Sequence, residues 1–338
     1  MDSITQAILG AAVGELFLGK KAGYKAPVLG AFMGTLPDLD IIANPVLSSI
    51  NELYFHRSIT HSFFFVIVMA PISGYLLNKI FRIPDVRKLE WARYTFWILL
   101  THILIDLPTS YGTQVFQPFS SLPATTDSIF IIDPIFSLPL AIAFFIAQFF
   151  RNRPALRKYI TASGLAFVSL YLIWGFGIKA HVHSHFDARF KKELGYYEMI
   201  KTMPNGPTTF FWTGFALKND TLLVSTYSLF RQKETPVMHK IPRNTHLIED
   251  QLDAPAVEAV LWFSRNYYKV EQTENGPVFH DLRFGRSDFW VSDDSDTEFV
   301  WTYDFIFDEN KNIIDFNQRT PSFNLDSKVL NLYLSRLF

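Results

Sequence analysis

LPDLDIIANPVLSSINELYFHRSITHS, residues 36–62, places two aspartates, two histidines and an arginine beside apolar segments that are nearly long enough to cross a membrane. Ionisable groups in or next to a bilayer are costly, and where they occur they mark functional sites. The concentration of charge in this stretch therefore indicates a site at the edge of a membrane domain.

The composition of the chain agrees with a membrane protein. Hydrophobic residues make up 49% of the 338 positions, and 34 of them are phenylalanine, which is rich for a soluble protein. The formal net charge of -1 and the lack of a basic run interleaved with aromatics argue against nucleic acid as a partner. Because there is no cysteine, disulfides are excluded and a metal ion would be held by histidine and carboxylate side chains.

The first half of the chain carries the long apolar runs. Membrane helices need about 20 apolar residues, and six runs approach that length. These runs cover residues 4–18, 26–43, 63–80, 91–107, 129–150 and 160–178. The first is too short to span comfortably. We therefore expect an α-helical polytopic membrane domain over residues 1–180, with about five spanning helices and a short N-terminal re-entrant or interfacial helix.

The residue pattern changes near residue 186, from long apolar runs to short alternating segments. Alternating segments such as TTFFWTGFAL and TLLVSTYSLF follow, separated by polar turns such as KND and DENKN. Such alternation predicts strands, and APAVEAVLWFSRNYY predicts one helix among them. We expect a soluble β-rich α+β domain over residues 186–338.

The basic residues between the apolar runs predict the orientation of the chain. Lysine and arginine cluster between residues 79 and 93 and again between 151 and 158, so both connections are expected in the cytoplasm. The protein is then a multi-pass protein of a bacterial-type inner (cytoplasmic) membrane, with its C-terminal domain extracytoplasmic.

With this topology the polar motifs meet at one level of the outer leaflet. Asp38 and Asp40 end one span, His56 and His61 begin the next, His102 and Asp106 end a third, and Asp133 begins a fourth. His102 and Asp106 are four residues apart and share a helical face. Arg57 is the only fixed cation nearby in sequence, and an uncompensated buried carboxylate costs several kcal/mol. A bound divalent cation would remove that cost.

The order and identity of these motifs carry a family resemblance. GTLPDLD, HRSITHS, THILIDLPTSYGTQVFQPFS and FIIDPIF resemble the YdjM-type family of inner-membrane, metal-dependent hydrolases, also described as LexA-binding. The resemblance implies a membrane-embedded metal site with hydrolytic activity. The family's motif residues fall on Asp38, Asp40, His56, His61, His102, Asp106 and Asp133. The family often opens with D-x-x-T-H, where this chain has DSITQ, so either one ligand is missing or Gln6 contacts a ligand and not the metal.

These observations lead to a specific functional hypothesis. The expected metal ligands are Asp38, Asp40, His56, His61, His102 and Asp106, which suit one or two Zn²⁺ ions, with Mn²⁺ or Fe²⁺ as alternatives. Asp40 or Asp133 would act as general base, and Arg57 would hold a substrate phosphate or stabilise an oxyanion. A membrane lipid or lipid-linked substrate is expected, with phosphoester cleavage favoured over amide or ester cleavage.

Several alternatives remain open at this point. The same metal could stabilise a non-catalytic membrane scaffold or receptor whose outer domain binds a partner. His102 and Asp106 could simply join two helices by hydrogen bonding, and Asp38 and Asp40 could end a helix. The stretch HVHSHFD, residues 181–187, is a second candidate metal site. In extended backbone its three histidines would share a face, whereas on a helix only the first and third would align. A solvated connector is the favoured interpretation, and a pH-responsive hinge is a further alternative. The oligomeric state is not predicted.

Overall fold

The computed structural model describes residues 1–231, 238–292, 297–323 and 326–338. The chain forms two compact units. The first, here called the helical unit, comprises Met1–Ala43 and Phe55–Phe176, and the second, called the β-rich unit, comprises Asn44–Tyr54 and Gly177–Phe338. The predicted succession of a helical region and a β-rich region is confirmed.

Seven helices occupy the first part of the chain. They are α1 (Ser3–Ala22), α2 (Lys25–Thr35), α3 (Ser49–Phe55), α4 (Phe63–Phe81), α5 (Lys88–Asp106), α6 (Pro134–Phe149) and α7 (Pro154–Leu194). Two 3₁₀ helices, Pro37–Val46 and Ile59–His61, lie on either side of α3. Both carry residues of the polar stretch 36–62. Much of the polar stretch 36–62 is therefore tightly turned backbone between longer helices.

Two of the described helices are long and apolar enough to cross a membrane. They are α4, with a mean hydropathy of 1.7, and α7, with 1.6. A third span is formed if α2 and Pro37–Val46, which are bent by 46° at their junction, count as one broken helix. α6 is apolar but has 16 residues. Membrane insertion is supported by these helices, whereas the predicted number of five spans is not confirmed.

Glycines allow α1 and α2 to pack in backbone contact. A Cβ atom added to Gly10 would lie 2.2 Å from the carbonyl oxygen of Gly30, and one added to Gly30 would lie 2.3 Å from that of Gly10. Small residues permit such approach between membrane helices, which have little hydrophobic driving force between them in lipid. This packing fixes the position of Gly34, whose carbonyl accepts a hydrogen bond from His102 at 2.7 Å.

A buried ion pair joins the opposite end of α1 to α7. Arg157 Nε lies 2.6 Å from Glu15 Oε1, and its Nη2 donates to the carbonyl of Gly19 at 2.7 Å. Both charged residues are buried, at 6% and 4% exposure. An uncompensated charge here would be costly, so the pair holds the two helices together.

In its described residues the β-rich unit contains two antiparallel four-stranded sheets. The first has the order β1-β2-β3-β4, with strands Met199–Pro204, Phe211–Lys218, Thr221–Ser228 and Met238–Pro242. The second has the order β5-β6-β7-β8, with strands Tyr268–Thr273, Gly276–Asp281, Thr302–Phe307 and Ile313–Gln318. Helices α8 (Pro255–Ser264) and α9 (Ser327–Leu337) complete the unit. α8 is the helix predicted from APAVEAVLWFSRNYY.

The histidine-rich stretch 181–187 belongs to the continuous helix α7. His181 and His185 therefore share a helical face, and the arrangement in which three histidines align is excluded. His185 packs against the ring of Tyr227 at 4.2 Å between centroids. Val182, between the first two histidines, and Phe186, directly after the third, are fully buried in a core with Trp212 and other residues of the first sheet. Part of the stretch therefore packs in the β-rich unit, while His181 and His183 are exposed, so it is only in part the solvated connector that was expected.

Candidate metal centre

Four of the predicted ligands converge in the helical unit. Asp38, His61, His102 and Asp106 each offer one ligand atom, and these atoms all lie within 4.8 Å of one another. His61 Nε2 is 3.2 Å from Asp38 Oδ1 and 3.6 Å from Asp106 Oδ2. His102 Nε2 is 3.7 Å from the same Asp38 oxygen and 3.6 Å from the same Asp106 oxygen. Two carboxylates and two imidazoles thus surround one point.

The local backbone explains how the four side chains reach that point. Asp38 is on the 3₁₀ helix that follows α2, and His61 ends the short 3₁₀ helix before α4. His102 and Asp106 lie one turn apart near the C-terminal end of α5, as their spacing predicted. Three of the four side chains are at most 1% exposed, and that of Asp38 is 13% exposed.

His102 is oriented by the backbone of α2. Its Nδ1–H donates to the carbonyl of Gly34 at 2.7 Å, which leaves the lone pair on Nε2 directed at the cluster. A metal-binding histidine usually donates its other ring nitrogen to a carbonyl or carboxylate in this way. Among the described residues, Nε2 is buried and has no hydrogen-bond partner.

The two oxygens of Asp106 have different surroundings. Oδ1 accepts a hydrogen bond from Gln6 Nε2 at 3.0 Å, contacts the Met1 amino group, and lies 3.8 Å from Arg57 Nη2. Oδ2 faces the two histidines and is buried without a hydrogen-bond partner among the described residues. One oxygen is therefore held by the protein while the other is available to a cation.

This arrangement fits a divalent metal ion. Ligand atoms placed tetrahedrally about 2.0–2.1 Å from zinc would be about 3.4 Å apart. The four histidine–carboxylate separations run from 3.2 to 3.7 Å, and all four ligand atoms lie within 4.8 Å of one another. His102 Nε2 and Asp106 Oδ2 are both buried without a hydrogen-bond partner among the described residues, so both atoms are available to an ion at this point. Two carboxylates also balance the charge of one divalent ion.

Asp40 and His56 pair with each other beside the cluster and are not among its four members. His56 Nδ1 lies 3.0 Å from Asp40 Oδ1, and the backbone N–H of Arg57 donates to Asp40 Oδ2 at 2.8 Å. The same Oδ2 is 3.6 Å from His61 Nδ1, which also contacts Thr60 Oγ1 at 3.0 Å. Thr60 therefore orients His61 and, with Oγ1 3.5 Å from Asp40 Oδ2, links that carboxylate to a ligand, a kind of contact that often tunes a metal site.

Arg57 is held with its guanidinium at the edge of the cluster. Its backbone adopts a φ of 55°, unusual for a residue other than glycine, and its residue exposure is 4%. The guanidinium lies 4.8 Å from the Tyr111 ring centroid, and Nη1 donates to Thr109 Oγ1 at 3.4 Å. The positive charge is thus presented to the site by backbone and side-chain contacts together.

Asp133 occupies a different position from the other predicted residues. It caps α6, where Oδ1 accepts hydrogen bonds from the backbone N–H groups of Ile135 and Phe136 at 2.9 and 3.3 Å. Its second oxygen accepts a hydrogen bond from Tyr171 at 2.8 Å. Both oxygens are therefore engaged in holding the fold.

Several contacting residues were not predicted from the sequence. Gly34 contributes a carbonyl, Thr109 and Tyr111 contact Arg57, and Thr60 contacts His61. All four lie inside the quoted motif stretches, but their residue types do not indicate contact with a ligand or with Arg57, so only the three-dimensional structure shows these contacts. Gln6 did carry a signal, because it stands where the related pattern has histidine.

Comparisons with known proteins agree with the family resemblance of the motifs. The family model for YdjM inner membrane protein matches residues 1–182, a range that contains the whole cluster. A Bacillus subtilis (strain 168) protein named "Uncharacterized protein YfhP" is 24% identical over 311 residues, covering 84% of this chain and 87% of that protein. No solved structure matches the chain. The resemblance inferred from the sequence is confirmed, and the chain belongs to the YdjM inner membrane protein family.

Proposed function

We propose that this protein is a metal-dependent hydrolase that acts at the outer leaflet of the membrane on a lipid or lipid-linked substrate. Phosphoester cleavage is favoured over amide or ester cleavage. The observation that carries the proposal is the buried convergence of Asp38, His61, His102 and Asp106, with two ligand atoms that lack hydrogen-bond partners in the described part of the chain. Zn²⁺ is the leading metal for this donor set, with Mn²⁺ or Fe²⁺ as alternatives.

The metal and the chain would divide the chemistry between them. When bound, the ion supplies a water of lowered pKa, near 7 for zinc, and polarises the bond to be cleaved. The chain must then accept a proton and hold the substrate's negative charge. Asp40 and Arg57 flank the cluster and offer these two functions.

Asp40 is the favoured proton acceptor. Its carboxylate is fully buried, whereas the side chain of His56, 3.0 Å away, is 24% exposed. A proton taken up by Asp40 can therefore pass to His56 and on to solvent through one hydrogen bond. Asp133 is the other predicted base. One of its oxygens accepts a hydrogen bond from a backbone N–H at the N-terminus of α6 and the other accepts one from Tyr171, so we propose a structural role for it.

Arg57 is the favoured binder of a phosphate or developing oxyanion. Its Nη2 lies 3.8 Å from Asp106 Oδ1, beyond normal hydrogen-bond length, so Arg57 is not committed to a close pair with that carboxylate. Its Nε is buried and has no hydrogen-bond partner among the described residues. A guanidinium in this state can engage two oxygens of a phosphoryl group.

The surroundings of the site support a lipid substrate. The loop after α5 is tied to the site, since the N–H of Gln114 donates to the carbonyl of Arg57 at 3.0 Å. The same loop exposes Phe116 and Phe119, at 49% and 86%. Exposed aromatics beside a polar site suit a substrate with acyl chains and a charged headgroup. The outer-leaflet position rests on the distribution of lysine and arginine described above.

The proposal is tested by metal content and lipid hydrolysis measured on the same preparations. We expect about one or two divalent ions per chain in the purified protein, and loss of both metal and hydrolysis in His61→Ala and Asp106→Ala. His183→Ala, which alters an exposed histidine of α7, is the matched control and should retain both. Unchanged metal content in the two ligand variants would defeat the site assignment.

The role of Arg57 is tested separately from metal binding. Arg57→Gln should keep its metal and lose about 10²–10³-fold in kcat, the usual effect of removing a charge that stabilises a transition state. Arg153→Gln, an exposed arginine between α6 and α7, is the control. Full activity of Arg57→Gln on a phospholipid panel would contradict the assigned function of this side chain.

A metal-stabilised scaffold or receptor is the second candidate, and the number of donors favours it. Structural zinc sites usually have four protein ligands, whereas catalytic sites keep one position for water. The cluster offers four. Bound metal without turnover on any phospholipid, ester or amide substrate would select this candidate, since hydrolysis requires an open coordination position.

A further inference from the structure

The second sheet of the β-rich unit has one apolar and one polar face. On the apolar face Val270, Phe279 and Tyr303 are fully buried. The strand register pairs Lys269 with His280 and His280 with Thr302, and the N–H of Arg319 donates to the carbonyl of Thr302. Because side chains alternate along a strand, these four residues form one polar row across all four strands, on the face opposite the apolar one.

A cavity of about 400 Å³ lies over this polar row. Its walls include Phe299 and Val300 before β7 and Thr320 and Ser322 after β8, all within the described residues. A volume of this order lies within the range of small-molecule sites, about 300–1,000 Å³. The cavity belongs entirely to the β-rich unit.

The charges around the cavity are paired within the protein. Lys269 Nζ lies 2.9 Å from Glu271 Oε2, and Arg319 holds Asp304 through two hydrogen bonds of 2.7 and 2.8 Å. Glu298 adds a further negative charge to the wall. With neither cation unpaired and one carboxylate in excess, the cavity does not offer the unpaired positive charge that a phosphate or carboxylate ligand requires.

The buried histidine of the row is neutral. Burial lowers the pKa of His280 to about 4, despite the opposing effect of Glu271. Its Nδ1 lies 2.9 Å from Thr302 Oγ1, and Nε2 faces Glu271 at 3.6 Å. The row thus presents hydrogen-bond donors and acceptors without an unpaired charge.

An apolar wall accompanies these polar groups. Phe299 lines the cavity and is flanked by His280, with 4.9 Å between ring centroids. Val278 and Val300 extend the same apolar surface. Aromatic faces pack against the C–H faces of ring-shaped ligands. Paired charges and hydroxyls can form hydrogen bonds with ligands that both donate and accept.

We propose that this cavity binds an uncharged carbohydrate of one or two sugar rings. A sugar matches the combination of alternating donors and acceptors, an apolar wall and the absence of an unpaired cation among the described residues that line the cavity. Vicinal hydroxyls would engage Lys269 and Glu271 at one end of the row and Arg319 at the other, with the ring against Phe299. The proposal concerns a binding site and is independent of the metal centre.

The test is calorimetric titration of the full-length protein in lipid nanodiscs, without glycoside detergent. The probes are N-acetylglucosamine, maltose and glucose, with glucose 1-phosphate and inorganic phosphate as anionic comparisons. We expect saturable binding of at least one neutral sugar and at least tenfold weaker binding of that sugar to Glu271→Gln. Thr320→Trp, which fills the mouth of the cavity from an exposed position, should weaken binding to a similar extent.

Glu309→Gln changes an exposed carboxylate in the turn between β7 and β8 and should bind normally. Absence of binding by all three neutral sugars, or tighter binding of inorganic phosphate than of any sugar, would overturn the proposal. Equal binding by the parent and both cavity variants would show that any sugar binds elsewhere.

Discussion

Gln6 offers a direct test of how the metal centre is built. In the related pattern a histidine stands at this position, so glutamine could mean a lost ligand or a residue that supports one. Its Nε2 is 3.0 Å from Asp106 Oδ1 and 3.3 Å from the carbonyl of His102. Because both neighbours are acceptors, the amide nitrogen must face them. The geometry favours a residue that holds Asp106 in place.

The expected effect of Gln6→Ala follows from these contacts. Loss of a hydrogen bond to a metal-ligating side chain typically costs 10–100-fold in metal affinity, or about 1.4–2.7 kcal/mol. Asp106 Oδ1 keeps its contacts with the Met1 amino group and with Arg57, so we expect the lower end of that range, about tenfold. His102→Ala removes a ligand and should abolish stoichiometric binding.

The assay is competition for zinc with a fluorescent chelator, using purified protein stripped of metal. Gln148→Ala is the matched control, since Gln148 is a half-buried glutamine that donates to a helix carbonyl of α6 away from the cluster. An affinity within twofold of the parent would refute the supporting role of Gln6. A loss as complete as that in His102→Ala would show that Gln6 is itself a ligand.

Three further predictions concern stability. Gly30→Ala should destabilise by about 1–3 kcal/mol in thermal unfolding, because its Cβ would lie 2.3 Å from the Gly10 carbonyl and the clash outweighs the better helix propensity of alanine. Arg157→Leu should lower stability by about 3–5 kcal/mol because it leaves Glu15 buried and unpaired. Burial lowers the pKa of His280 from 6.5 to about 4 in the folded protein. Between these pH values the unfolded chain therefore binds one more proton at His280 than the folded protein does. The β-rich unit should therefore lose up to about 3 kcal/mol as pH falls from 6.5 to 4, as followed by tryptophan fluorescence.

Each stability prediction has a control and a contrary outcome. Gly177→Ala, where an added Cβ meets nothing within 4 Å, should not destabilise, and equal effects at both glycines would reject the packing argument. Arg153→Leu alters an exposed arginine and should be near neutral. The pH slope should flatten in His280→Gln and persist in the exposed-site variant His246→Gln; a slope unchanged in both would assign the effect to other groups.

One pair of the metal centre was predictable because it depends on spacing along the chain. His102 and Asp106 are four positions apart, which places both on one face of any helix. The strands of the β-rich unit followed from alternation and from the turn residues between them, as at Asn219 and Asp220, both of which have the positive φ typical of a hairpin turn. The number of spanning helices was less predictable, since apolar length alone does not separate a buried helix from one in lipid.

The sequence by itself determined which side chains were available to the site, because its motifs place aspartates and histidines at the ends of the apolar runs and the chain has no cysteine. The tertiary structure decided which of them meet: Asp38 and His61 join His102 and Asp106, whereas Asp40 and His56 pair beside them. The reason is that ligand geometry depends on contacts between elements distant in sequence. The backbone approach of α1 to α2 sets Gly34 against His102, and neither the approach nor its consequence can be read from local periodicity.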